Sequence, residues 1–197
     1  ITEQTEEICE YAVEKEPLLL KYVRNQTPKM CLVAVRNDGS ALEYVCNQTL
    51  EICLAAVEYC GRALQDVREQ TPEICLEAVK QNGLALQYVI EQTPEMCQIA
   101  VKQTCDALRY VKEQTPEMCM GAVGRCYHTL VYVISQTPEI CIKAVRHNSY
   151  ALQYVKNQTP EICLEAIKEC GMVLCYVNNK TLEMCIEAVK QYANALQ

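Results

Sequence analysis

The chain has 197 residues but no tryptophan and no phenylalanine, so tyrosine supplies every aromatic ring. It has two histidines, a thin supply for acid–base chemistry. Its six glycines form no Gly-rich phosphate loop, and no Ser-His-Asp or Cys-His signature has a supporting context. These absences point away from an enzyme. No block of lysine or arginine is present, and the formal net charge is −7 with a pI of about 5.0. That balance argues against phosphate-backbone contacts, so no nucleic-acid partner is expected. No apolar run approaches the ~20 residues of a membrane-spanning helix. No segment alternates apolar and polar residues with period two, so no strands are expected.

What the chain has is a period. Cysteines fall at Cys9, Cys31, Cys53, Cys75, Cys97, Cys119, Cys141, Cys163 and Cys185, every 22 residues, without an insertion. Threonines from Thr5 to Thr181, alanines from Ala12 to Ala188 and leucines from Leu20 to Leu196 keep the same step. A fixed period in this range signals a solenoid whose units bury their faces against their neighbours.

One unit runs from Thr71 to Gln92. Thr71 is a helix N-cap and Pro72 fits the first helical position, with Glu73 in the first turn. Ile74, Cys75, Ala78 and Val79 make a helical stripe. Asn82-Gly83 ends that helix, with the glycine expected in the left-handed conformation. A second stripe follows in Ala85, Leu86, Tyr88 and Val89. The pattern predicts a helix of about eleven residues and one of about eight. Helices this short are marginal alone, so stacking is obligatory. The expected fold is all-α: an αα-solenoid of nine stacked 22-residue two-helix repeats, one array over residues 1–197. Ile1 and Gln197 both fall inside a second helix with no polar capping unit beside them. The expectation is a slice of a longer array, or ends covered by another body.

The motif Thr-Pro-Glu-Ile-Cys, then Ala-Val-Lys-Gln-Asn-Gly, then Leu-Gln-Tyr-Val resembles the short tandem repeats of domain of unknown function 4116. Thr71–Gln92 and Thr159–Ile167 match it most closely. Leu50 and Leu182 depart from it in place of proline, and Asp66 in place of tyrosine. The resemblance implies the setting of giant viruses of amoebae and amoeba-associated intracellular bacteria. It therefore implies a cytoplasmic location, in the host cytoplasm or the virion, and a host protein as partner. It adds no catalytic residue and no cofactor.

The fifteen cysteines admit three readings. Equivalent positions in adjacent units should stand ~8–10 Å apart, too far for a ladder of disulfides, which need Cα atoms within roughly 7 Å. The ladder cysteines are therefore expected to be reduced, small core fillers. A thiol-rich metal or redox protein is the third-ranked alternative. Its only ligand cluster would be Cys105, Cys126, His128 and His147, whose spacings of 21, 2 and 19 match no standard finger. Four Asn-x-Thr triplets, at Asn25, Asn47, Asn157 and Asn179, are by-products of the capping threonine. The tyrosine column (Tyr22, Tyr44, Tyr88, Tyr110, Tyr132, Tyr154, Tyr176) is expected to be core packing with its hydroxyls reaching the rim, not a base-stacking platform.

Comparing repeats within the chain locates a candidate site. The helix faces barely vary, whereas the loop between the two helices does, most in units five to seven. Cys105, Tyr127 and Ser149 replace the cap glycine there. Left-handed backbone at those residues would cost roughly 1 kcal/mol or more each relative to glycine. Arg125, Tyr127, His128, His147 and Tyr150 form the candidate binding edge, rich in types that dominate interfaces. The expected role is non-enzymatic protein–protein interaction or scaffolding. The alternative is a structural element that self-associates end to end.

Overall fold

The structure, a computed structural model, describes residues 4–192. Leu196 and the end positions Ile1 and Gln197 lie outside the described residues. Among the described residues every regular element is helical. The chain divides into two compact units, Ile1–Tyr110 and Val111–Gln197. The first holds α1 (Glu6–Lys15), α2 (Pro28–Asn37), α3 (Leu50–Tyr59), α4 (Pro72–Gln81) and α5 (Pro94–Gln103). Each is followed by a six-residue 3₁₀-helix: η1 (Pro17–Tyr22), η2 (Gly39–Tyr44), η3 (Gly61–Asp66), η4 (Gly83–Tyr88) and η5 (Cys105–Tyr110). The second unit holds α6 (Pro116–Val123), η6 (Tyr127–Tyr132), α7 (Pro138–His147), η7 (Ser149–Tyr154), α8 (Pro160–Glu169), η8 (Gly171–Tyr176) and α9 (Leu182–Tyr192). Within each unit every α-helix packs on the next and on the 3₁₀-helix that precedes it. This is an all-α repeat solenoid.

The first helix of each repeat follows the sequence closely. Thr71 Oγ1 accepts from the Ile74 N–H at 3.3 Å, and the other eight threonines cap their helices the same way. Proline occupies the first position of α2, α4, α5, α6, α7 and α8, where its missing N–H has no role. Met30, Ile52, Ile74, Ile140 and Ile162 are fully buried, as are the alanines one turn on (Ala34, Ala56, Ala78, Ala144, Ala166).

Two expectations are corrected. The second helix is 3₁₀, not α. Burial explains this: Gly83, Leu86 and Val89 are buried at spacings of three, Ala85 and Tyr88 form a flanking column, and Gln87 and Ile90 face outward. Three residues per turn matches 3₁₀ geometry, in which side chains at i and i+3 align. The glycine is also not left-handed, since no described residue has positive φ. Asn82 ends α4 in extended backbone (φ −148°, ψ 112°), and its N–H donates to the Ala78 carbonyl. Its side chain then accepts from Leu84 N–H and so starts η4. Glycine is required by close approach: a Cβ on Gly83 would stand 2.7 Å from the Ala100 carbonyl oxygen. The strain assigned to Cys105, Tyr127 and Ser149 therefore does not exist.

Candidate functional site

The cysteine ladder belongs to a hydrogen-bond ladder built on a glutamine the repeats share. Gln70 immediately precedes the capping threonine. Its Nε2 donates to the Tyr88 carbonyl at 2.8 Å, and its Oε1 accepts from Ile90 N–H at 3.0 Å. The same oxygen lies 3.4 Å from the Cys75 thiol, which donates to it. Gln26, Gln48, Gln136 and Gln158 repeat all three contacts. Each glutamine thus fastens a repeat to the backbone 18 to 20 residues further on. Sequence reasoning missed this ladder, although the glutamine stands before eight of the nine threonines.

Eight ladder cysteines, Cys9 through Cys163, are buried and Cys185 is half-buried. All fifteen cysteines are free thiols. Burial pushes the Cys31, Cys53, Cys75, Cys119, Cys141 and Cys163 thiols above their ordinary range. A protonated, hydrogen-bonded thiol is neither a nucleophile nor a ready metal ligand. Among the described residues no three His, Cys, Asp or Glu side chains come together as a metal site would need, so Cys105, Cys126, His128 and His147 are not assembled into one. Cys105 itself is buried, whereas His128 and His147 are exposed.

Clefts recur beside the ladder at one register. One of about 410 Å³ is lined by Cys46, Gln48, Thr49, Cys53 and Arg68. Its polar groups already hold one another: Arg68 donates to the Val45 and Cys46 carbonyls at 3.0 and 2.8 Å. The tyrosines of the column from Tyr44 to Tyr176 are half-buried, between core and rim, whereas Tyr22 is 63% exposed.

The candidate edge lies wholly in the second unit. The α6 helix stops early at Val123, and Gly124 and Arg125 turn the chain towards η6. Arg125 is exposed, with its Nε on the Gly121 carbonyl at 3.3 Å. Tyr127 is half-buried and meets exposed His128 edge to face, ring centroids 5.9 Å apart. His147 ends α7, exposed. Tyr150 is half-buried, and its amide is held by the Asn148 side chain. Its ring packs edge to face on Tyr176 of the next repeat at 6.1 Å. The outward positions of η6, η7 and η8 are His128, Val131, Tyr150, Gln153, Met172 and Cys175, with no formal charge. Equivalent positions in the first unit include Lys21, Glu43, Arg62, Asp106 and Arg109.

No described helix is long and apolar enough to cross a membrane. A family model described as Domain of unknown function (DUF4116) matches residues 49–92, 71–115 and 159–197, more than half of the chain. The first match is two 22-residue repeats long. No curated protein and no solved structure matches the chain.

Proposed function

The chain belongs to the family described as Domain of unknown function (DUF4116), and on that premise we propose that it is a non-enzymatic repeat module that holds a protein partner. One observation carries this reading: the outward face of the 3₁₀-helices loses its charges in the second unit and gains Tyr150, Val131 and Met172, the last two 48% and 57% exposed. Exposed apolar and aromatic groups gathered on one face mark interaction surfaces. The proposed contact takes in Arg125, Tyr127, His128, His147 and Tyr150 together with that face. The module works in a reducing cytoplasm, a location suited to fifteen unpaired thiols.

The test charges the face without touching the core. A V131E/M172E variant alters two exposed positions and should fold as the parent does. Affinity capture from cytosol, quantified by mass spectrometry, should lose its enriched proteins with this variant and keep them with a Glu43→Gln control. An unchanged capture profile would refute the reading.

A further inference from the structure

Three junctions between repeats carry a clasp. Gln81, the last residue of α4, accepts from Gly61 N–H at 2.7 Å and donates to the Tyr59 carbonyl at 3.3 Å. Gln103 holds the Gly83 amide and donates to the Lys80 carbonyl at 2.9 Å. Gln191 accepts from Gly171 N–H at 2.6 Å and donates to the Lys168 carbonyl. Each carboxamide therefore ties the start of a 3₁₀-helix, and the end of the α-helix before it, to the following repeat.

At a clasp the first 3₁₀ position is crowded first by the next repeat's backbone carbonyl, that of Ala78 for a Cβ on Gly61, and by the carboxamide as well. A Cβ on Gly61 would stand 3.0 Å from Gln81 Oε1, and one on Gly83 2.9 Å from Gln103 Oε1. The chain obeys this exclusion. Wherever an α-helix ends in glutamine, the residue twenty positions earlier is glycine. In the second unit Tyr127 and Ser149 replace that glycine, and the residues twenty positions on are His147 and Glu169. Gly171 and Gln191 then restore the pair.

Among the described residues the pairs Pro17/Asn37 and Gly39/Tyr59 of the first unit make no clasp either, whereas η3 against α4 and η4 against α5 are both clasped. We infer that the second unit's clasp-free junctions, η6 against α7 and η7 against α8, form a seam along which that unit opens before its remaining contacts give way. The packing of α7 on α8 persists there. What each junction lacks is a pair of hydrogen bonds linking one repeat to the next. Two bonds of ordinary net strength correspond to roughly a tenfold change in a local opening equilibrium. The seam lies under the uncharged face but does not depend on that face binding anything.

Hydrogen exchange of the whole chain, read by mass spectrometry and corrected for intrinsic rates, tests the inference. Amides of α7 and η7 should exchange roughly tenfold faster than those of α4 and η4. Equal or greater protection of α7 and η7 would overturn it. A second measurement installs the clasp. In S149G/E169Q, exchange across η7 and α8 should slow roughly tenfold, while E169Q alone gains nothing because Ser149 still blocks the carboxamide. A double variant no more protected than its two single variants combined would also overturn the inference.

Discussion

Replacing Gln70 by glutamate isolates the glutamine ladder from packing, because the two side chains have nearly the same shape. The carboxylate can still accept from Ile90 N–H and the Cys75 thiol. The group that donated to the Tyr88 carbonyl at 2.8 Å becomes an oxygen facing an oxygen. One hydrogen bond is lost and a half-buried carbonyl is left without its donor, a cost of about 1–3 kcal/mol. For a chain of this size that lowers the melting midpoint by roughly 2–12 °C at neutral pH. Acid should reverse the effect. Protonation restores a donor towards Tyr88, so the introduced carboxyl titrates above the ordinary glutamate value in the folded state. A raised folded value means that stability is present at low pH and lost as pH rises through it. The gap between parent and Gln70→Glu should therefore close on acidification. Thermal melts of both proteins across pH measure it. A variant as stable as the parent at neutral pH, or a gap that does not change with acid, would refute the ladder's energetic role.

The glycine account makes opposite predictions at two sites. Gly83→Ala should cost about 1–3 kcal/mol through overpacking against the Ala100 carbonyl. Gly121→Ala, whose new Cβ would meet nothing within 4 Å beyond its own turn of helix, should gain roughly 0.5–1 kcal/mol in α6; denaturant melts with the reverse order would contradict both. Thiol counting with an aromatic disulfide should find Cys46 and Cys175 reactive in the native state. The eight buried ladder thiols should react only on unfolding, and a fast phase that includes them would count against the buried ladder. Burial raises the Asp66 carboxyl above its ordinary value despite its hydrogen bond from Gln65. The folded state then holds its proton more tightly, so stability falls as pH rises through the raised value, and Asp66→Asn should remove that slope. Urea melts at several pH values check it, and an unchanged slope would place the proton uptake elsewhere.

The elements differ in how far a sequence reader could see them. The first helix was legible to the residue at Thr71 and Pro72, because capping and proline chemistry act within four positions. The spacing of Gly83, Leu86 and Val89 carried the 3₁₀ signal, but a short apolar run fits an α-helical stripe nearly as well. Gly83 misled for a physical reason. A glycine after a helix usually serves its own backbone, whereas here it serves the Ala100 carbonyl of the next repeat. Gln70 was visible in every comparison of repeats, yet its partners lie 18 and 20 residues away. The variation at Tyr127, His128 and Tyr150 was legible as variation. Its uncharged character became a surface property only once the outward column of each 3₁₀-helix was known.

The forward reach of the glutamine ladder gives synthesis a direction to exploit. Gln26, Gln48 and Gln70 each bond backbone that leaves the ribosome after they do. A finished repeat thus displays a carboxamide at the height where the next stretch of nascent chain needs one donor and one acceptor. At ~5–20 residues per second a 22-residue repeat emerges in about 1–4 s, while helices of this size form in about a microsecond. Every repeat has time to settle on its predecessor before its successor exists. The clasping glutamines point the other way, from Gln81 back to Gly61, and close the three junctions they occupy only when the following helix is complete. Elongation from the amino end, with a latch that trails by one repeat, is thereby written into the bonding pattern.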